Sequence, residues 1–222
     1  VVDGGDRHDP TPDEPHERCA RFVLESILST RKERGEIHLA WCGGTSARVV
    51  LSSIADGDLS DTHWYPTDER CVPVGHPERN DRLLHELLVD SGSVSAERIH
   101  SIPAELGPLA GAAAYDRLLR DCPEFDVAFL SLAPDGHVAS LFPDHPALEA
   151  SGCAVGVTNS PKPPAERVTL TVGRLRSSRV RIVVSVGAEK AEAAKSAVDD
   201  RRGPAALVRP THWFLDRTEM AR

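Results

Sequence analysis

The chain has 222 residues, with 34 Asp and Glu against 26 Lys and Arg, a formal net charge of −8, 40% hydrophobic and 27% charged residues. That is enough for one ordinary globular core. It excludes the basic stripe of a nucleic-acid binder and any apolar run of the roughly 18–20 residues that span a bilayer. Five cysteines, an odd number with no Cys-x-x-Cys pair, and ten histidines without ligand spacing point to a reduced, cytoplasmic protein with no zinc site.

Residues 1–13 read as a frayed polar segment, and Val1 to Pro15 lacks the apolar centre of a secretory signal. Pro15 suits the first turn of a helix reaching about Arg34, capped at Asp13 or nearby. Phe22, Val23, Ile27 and Leu28 form its apolar face, and Gly35 ends it. Glu36 to Trp41 reads as a strand, followed by the turn Cys42-Gly43-Gly44-Thr45-Ser46 and a helix through Arg48 to Leu51. Thr62 to Pro66 is a second strand, ending at Thr67-Asp68-Glu69-Arg70. The spacing of Leu83, Leu84, Leu87 and Leu88 predicts a helix over 78–90, and an Ala-rich pattern predicts another over 106–121. Asp126 to Leu132 is a buried strand that stops at Pro134-Asp135-Gly136-His137. Ala154 to Thr158, Arg167 to Thr171 and Arg179 to Val186 read as further strands. A helix from Gly187 through Val198, a short one near Val208 and a last strand over 211–215 complete the chain. Strands alternating with helices, with no linker or repeat, predict one α/β domain over 1–222, built on a doubly wound, mostly parallel sheet flanked by helices.

Four segments carry candidate chemistry. In Cys42 to Ser46, paired glycines let a bulky anion approach the backbone, a helix N-terminus offers free N–H groups, and Thr45 and Ser46 add hydroxyls. A tight turn with capping hydroxyls accounts for the same residues. Neither the P-loop nor the dinucleotide glycine pattern is present, which argues against ATP and NAD. Asp68-Glu69-Arg70 sets two carboxylates beside a guanidinium, able to polarise a substrate or to form a surface ion-pair cluster. Asn80 is either a ligand or the cap of the following helix. Asp135-Gly136-His137 places a carboxylate and an imidazole at the carboxyl end of a buried strand, where open α/β sheets bind ligands. Lys162-Pro-Pro-Ala-Glu-Arg167 stiffens a loop around two cations, and Lys190 opens a late helix. Any of the three could meet a phosphate or remain solvated.

Taken together and in this order, the segments resemble the 6-phosphogluconolactonase family, which shares its fold with glucosamine-6-phosphate deaminases. The resemblance runs from about residue 16 to 217. The family's Ser-Gly-Gly-Ser-Thr-Pro loop is similar to Cys42 to Ala47, and its Asp-Glu-Arg motif stands at Asp68 to Arg70, followed by Val72-Pro73 and His76. Its Asp-Gly-His-x-Ala-Ser-Leu-Phe-Pro motif runs from Asp135 to Pro143, and its Lys-Pro-Pro-x-x-Arg-x-Thr motif from Lys162 to Thr169. The deaminase branch follows its Asp-Gly-His with an Ala-Phe-Asn-Glu-Pro type segment. Ala139-Ser-Leu-Phe-Pro143 lacks that carboxylate and favours the lactonase side.

The resemblance implies a modified Rossmann-like fold and hydrolysis of a sugar-phosphate lactone, 6-phospho-D-glucono-1,5-lactone, to its open acid without metal or cofactor. It implies His137 as general base, Asp135 as its orienting carboxylate and Arg70 as the charge that balances the developing anion. Gly43, Gly44, Thr45 and Ser46, with Arg167, Lys162 or Lys190, are implied to hold the phosphate, and Asp68 and Asn80 to contact the sugar or support Arg70. Cys42, Ala47, Arg79, Ser131 and Ala133 depart from the family pattern, which has serine, proline, serine and two glycines there. Ser131 and Ala133 are expected to add side chains beside the ligand. A related lactonase, isomerase or deaminase acting on a modified sugar phosphate, or a non-catalytic sugar-phosphate-binding protein, are the alternatives.

Overall fold

The structure, a computed structural model, describes residues 14–216. Helix α1 (Pro15–Arg34) starts on its proline and stops where Gly35 takes a φ of 87°. Asp13, expected as its cap, lies outside the described residues, and the Glu14 side chain makes no capping bond. The helix buries Cys19, Val23 and Ile27, whereas Leu28, expected on the same face, is 51% exposed. Position 28 lies about 100° around the helix from Ile27, beyond the stripe that 19, 23 and 27 define.

Five strands then alternate with helices: β1 (Ile37–Trp41), followed by α2 (Thr45–Ile54), and then β2 (Thr62–Pro66), β4 (Val127–Ser131), β7 (Val180–Ser185) and β8 (His212–Leu215). The five strands form one parallel sheet in the order β2-β1-β4-β7-β8. Successive residues of β4 serve opposite faces. Val127 and Phe129 join a core under α1 and α2, with Phe129 stacked on Trp41 at 4.1 Å, while Ala128 and Leu130 join a core on the other face with Tyr115 and Phe125. The chain runs outward from β1 to β2 and returns across β1 to β4. The strand order therefore reverses between β1 and β4, and a crevice opens at their carboxyl ends.

Two strands expected as part of the alternation, β6 (Arg167–Leu170) and β5 (Ala154–Val157), instead join β3 (Asp68–Arg70), a strand not foreseen, in a second, antiparallel sheet in the order β3-β6-β5. Thr67 joins the two sheets. Its N–H donates to Trp41 O in the parallel sheet, and its carbonyl accepts from Leu170 N in the other. Helix α4 (Pro108–Arg120) crosses β5 at Gly156, where a Cβ would stand 2.5 Å from Pro108 O.

The helix expected over 78–90 begins later, as α3 (Asp81–Leu84), and widens into a π-helical turn over His85–Val89. The late helix opens as a 3₁₀ turn over Ala188–Lys190 and continues as α6 (Ala191–Val198). Ahead of it in the chain lies α5 (Val172–Arg176), capped by the Thr171 hydroxyl and not foreseen, and α7 (Gly203–Val208) follows it. No helix among the described residues is long and apolar enough to cross a membrane.

Candidate active site

Two turns meet at the reversal between β1 and β4. In the first, Gly44 has φ 95° and ψ 178°, a conformation side chains disfavour, and Gly43 is pressed against Asn80: a Cβ on Gly43 would lie 2.1 Å from Asn80 Oδ1. The glycine pair is thus required by backbone conformation at one position and by a neighbour at the other. In the second turn, Ala133 N–H donates to His137 O and Gly136, at φ 86°, donates to Ala133 O. This closed loop presents Asp135 and His137 side by side, His137 Nδ1 standing 2.6 Å from Asp135 Oδ1. An ionised carboxylate only accepts, so the imidazole proton sits on Nδ1 and the lone pair on Nε2. Burial lowers the His137 pKa below the ordinary 6.5, against the pull of Asp135, and so favours the neutral ring. Burial acts to raise Asp135, but hydrogen bonds from Lys162 and His137 outweigh it and hold the carboxyl below its ordinary range.

Strand β3 supplies the facing wall. Asp68 is buried, with Oδ2 accepting from Ser140 Oγ at 2.6 Å and Oδ1 from Thr67 Oγ1 at 3.2 Å. Arg70 donates through Nη1 to Glu78 O at 2.6 Å, and Asn80 Nδ2 donates to Asp68 O at 2.9 Å. Between Asp68 and Arg70, Glu69 points away into the protein, fully buried. Its carboxylate accepts from the backbone N–H groups of Arg70, Asn80 and Asp81. Burial pushes its pKa up to about 7, opposed by those bonds. By capturing the amides of 80 and 81, Glu69 sets where α3 begins and where Asn80 stands.

Gly43, Gly44, Asp68, Arg70, Asn80, His137, Arg167 and Lys190 line one cleft of about 220 Å³. Thr45 and Ser46 do not. Thr45 is exposed and Ser46 is buried at the head of α2. Asp135 is bonded to His137 on one side, and Lys162, expected at a phosphate, places Nζ 3.0 Å from Asp135 Oδ2. Arg167 is buried, and burial lowers its pKa. Of the two carboxylates expected beside the guanidinium, only Asp68 lines the cleft, because Glu69 is spent inside on backbone amides. Ser140, which the sequence did not single out as a site residue, follows the Asp-Gly-His turn and joins Asp68 to Arg167. Among the described residues no group of three His, Cys, Asp or Glu side chains is placed to hold a metal ion.

A family model described as glucosamine-6-phosphate isomerases/6-phosphogluconolactonase matches residues 10–218. The chain belongs to this family. It is 34% identical to the 6-phosphogluconolactonase of Streptomyces coelicolor over 90% of this chain and 87% of that protein. It is also 34% identical to that of Mycobacterium leprae over 90% and 89%. The 6-phosphogluconolactonase of Homo sapiens matches at 38% identity over 77% of this chain and 72% of that protein. Among solved structures, the 6-phosphogluconolactonase of Thermotoga maritima superposes with a TM-score of 0.84 at 26% identity, covering 90% of this chain and 94% of that one. That of Trypanosoma brucei shares the fold, with a TM-score of 0.82 at 23% identity over 94% of each chain.

The departures from the family pattern differ in consequence. Ser131 and Ala133 stand in the cleft wall, where each adds a side chain. Arg79 is turned away, its side chain 2% exposed and bonded to Asp81, Glu105 and the carbonyl of Ile102. Cys42 lines the cleft as a buried free thiol whose pKa burial pushes up, which disfavours its thiolate form.

Proposed function

We propose that this protein hydrolyses 6-phospho-D-glucono-1,5-lactone to 6-phosphogluconate. The observation that carries the reading is the His137–Asp135 pair at 2.6 Å, on the wall of a cleft that also holds Arg70, Arg167 and Lys190. His137 Nε2 takes a proton from water, and the water oxygen attacks the lactone carbonyl. The tetrahedral oxyanion is balanced by Arg70. Collapse breaks the bond to the ring oxygen, which takes the proton back from His137 to become a hydroxyl, and leaves a carboxylic acid that loses its remaining proton to solvent and becomes the carboxylate. Asp135 fixes the tautomer that makes this possible. The phosphate, distant from the reacting ester, lies against the Gly43-Gly44 backbone with Arg167 and Lys190, and Asp68 and Asn80 face the sugar hydroxyls. Holding the substrate at both ends supplies orientation as well as affinity.

Asp68 is the one carboxylate lining the cleft among the described residues, and both its oxygens already accept hydrogen bonds. That favours ester hydrolysis over an isomerisation needing a second free carboxylate. Ser131 and Ala133 in the wall support a second reading, a lactone of a differently substituted sugar phosphate. The test is hydrolysis of freshly generated lactone against its spontaneous opening, with a panel of phosphorylated and unphosphorylated lactones. His137→Asn is expected to lose about a hundredfold to ten-thousandfold in kcat while keeping its circular dichroism and melting temperature. The wild-type rate should fall on the acid side with a midpoint below 6.5, because the neutral imidazole is the active form. A folded His137→Asn protein of near-normal activity would sink the base assignment.

A further inference from the structure

The geometry points to Lys162 as a positioning residue of the Asp135–His137 pair, one that holds the second oxygen of Asp135 and thereby sets the basicity of His137. The inference rests on the reading of His137 as the base. Asp135 is shared between two partners, one per oxygen: His137 Nδ1 at 2.6 Å from Oδ1 and Lys162 Nζ at 3.0 Å from Oδ2. The Lys162 ammonium thus meets Asp135 on the oxygen that His137 does not use.

The loop that carries Lys162 is built to hold it there. The guanidinium of Arg167 has five N–H donors. Nε donates to Pro164 O at 3.2 Å, and Nη2 donates to Lys162 O at 3.2 Å and to Pro163 O at 2.9 Å. Three consecutive carbonyls of the loop are thus gathered on one buried cation. Ser160 Oγ donates to Lys162 O at 2.8 Å, and Ser160 N–H donates to Ala165 O, which closes the loop on itself. Nη1 of Arg167 donates to Ser140 Oγ at 3.4 Å, which itself donates to Asp68 at 2.6 Å. One Nη1 hydrogen remains for the cleft. The wall of the cleft and the loop of Lys162 are therefore joined through Arg167, and the backbone of Lys162 is fixed before its side chain is counted.

The groups that face His137 come from every side of it. Asp135 lies on its own turn and Lys162 on the opposing loop, Asp68 on β3 acts across the cleft, and Arg70, Arg167 and Lys190 share the cleft wall. The ring of Phe142 packs on His137 at 4.6 Å between centroids and lies under the Arg167 guanidinium at 5.5 Å. Of these groups, Lys162 alone bonds the carboxylate that bonds the imidazole. Its positive charge, and its claim on Asp135, both disfavour the imidazolium, and burial works in the same direction.

Imidazole titration of the free protein by nuclear magnetic resonance tests this without a substrate. In Lys162→Met the His137 midpoint should move up by about half a pH unit, the size expected of a half-exposed charge pair, and Lys162→Arg should bring it back. The acid limb of kcat/KM should move with it, lowering kcat/KM about threefold at a pH on that limb. Affinity for inorganic phosphate at pH 8, measured by calorimetry, separates this role from a ligand contact. An unmoved His137 midpoint in Lys162→Met would overturn the inference, and so would a loss of phosphate affinity with the midpoint unmoved. If no lactone is hydrolysed by the wild type and the midpoint still moves, the positioning role stands and the substrate assignment falls.

Discussion

At the scale of single residues, the site is made by pairs whose members are far apart in the chain. Gly43 and Asn80 are one such pair. The glycine is required because the Asn80 carboxamide occupies the space of its missing side chain, and that carboxamide in turn donates to Asp68 O at 2.9 Å. Gly43→Ala should expel Asn80, raise KM for the sugar phosphate about tenfold or more and destabilise the fold by about 1–3 kcal/mol through overpacking. On an Asn80→Ala background the same change should cost little, because the space is then free; steady-state kinetics and urea melts of the double-mutant cycle measure this. A large cost persisting on that background would refute the pairing. The Asp135-Gly136-His137 turn was legible in the sequence because its residues are contiguous and its chemistry is local. The roles of Glu69 and Ser140 were not, since a buried carboxylate or hydroxyl takes its meaning from partners such as the amides of Asn80 and Asp81 or the guanidinium of Arg167.

At the scale of elements, β1, β2, α1 and α4 lie within a residue or two of where apolar periodicity and Gly or Pro punctuation put them. Sequence pattern alone makes the three-residue β3 the tail of β2, for its strand character comes from pairing with Arg167 to Thr169, about a hundred residues later. Pairing also decides the histidines on β1 and β2. His38 and His63 stack at 4.9 Å, and His63 stacks on His100 at 5.2 Å, just past the 3₁₀ segment Ala96–Arg98. Arg98 donates to His63 Nε2, so His63 carries its proton on Nδ1 and donates it to His100 Nε2 at 2.9 Å. Burial, with His63, His38 and Arg98 nearby, lowers the His100 pKa to about 4, and burial lowers His38 too. A ring held neutral in the folded state and free to protonate when unfolded contributes stability above the unfolded value near 6.5. That contribution is lost as pH falls from there toward 4. Urea midpoints should therefore drop between pH 7.5 and 4.5, with His100 accounting for about 1–2 kcal/mol after allowance for its partial exposure. His100→Gln, which keeps an acceptor for His63, should flatten that part of the curve. An unchanged slope would remove His100 from the acid response.

At the scale of the whole molecule, the reversal of strand order between β1 and β4 brings the site together. It sets the Gly43-Gly44 turn beside the Asp135–His137 turn, and Thr67 carries the chain from the parallel sheet into the small antiparallel one that supplies Asp68, Arg70 and Arg167. The parallel sheet separates two cores, one holding Trp41 and Trp64 and the other Tyr115 and Phe125, and residues of β4 belong to both. Such sharing predicts a single unfolding unit. In a Trp213→Phe protein, fluorescence from Trp41 and Trp64 and far-ultraviolet circular dichroism should follow one urea transition with a common midpoint; two midpoints would divide the chain into separate domains. Composition and local pattern by themselves determined the α/β class, the order of the principal strands and helices, and the residue types able to do acid–base and phosphate chemistry, because periodicity, capping and turn propensity act over a few neighbouring residues. Only the tertiary structure decided which of those residues share a cleft. It set Lys162 on Asp135, turned Arg79 and Glu69 inward and left Arg167 to join loop and wall. Burial and hydrogen-bond partners are properties of segments that meet in space, and their separation along the chain does not record them.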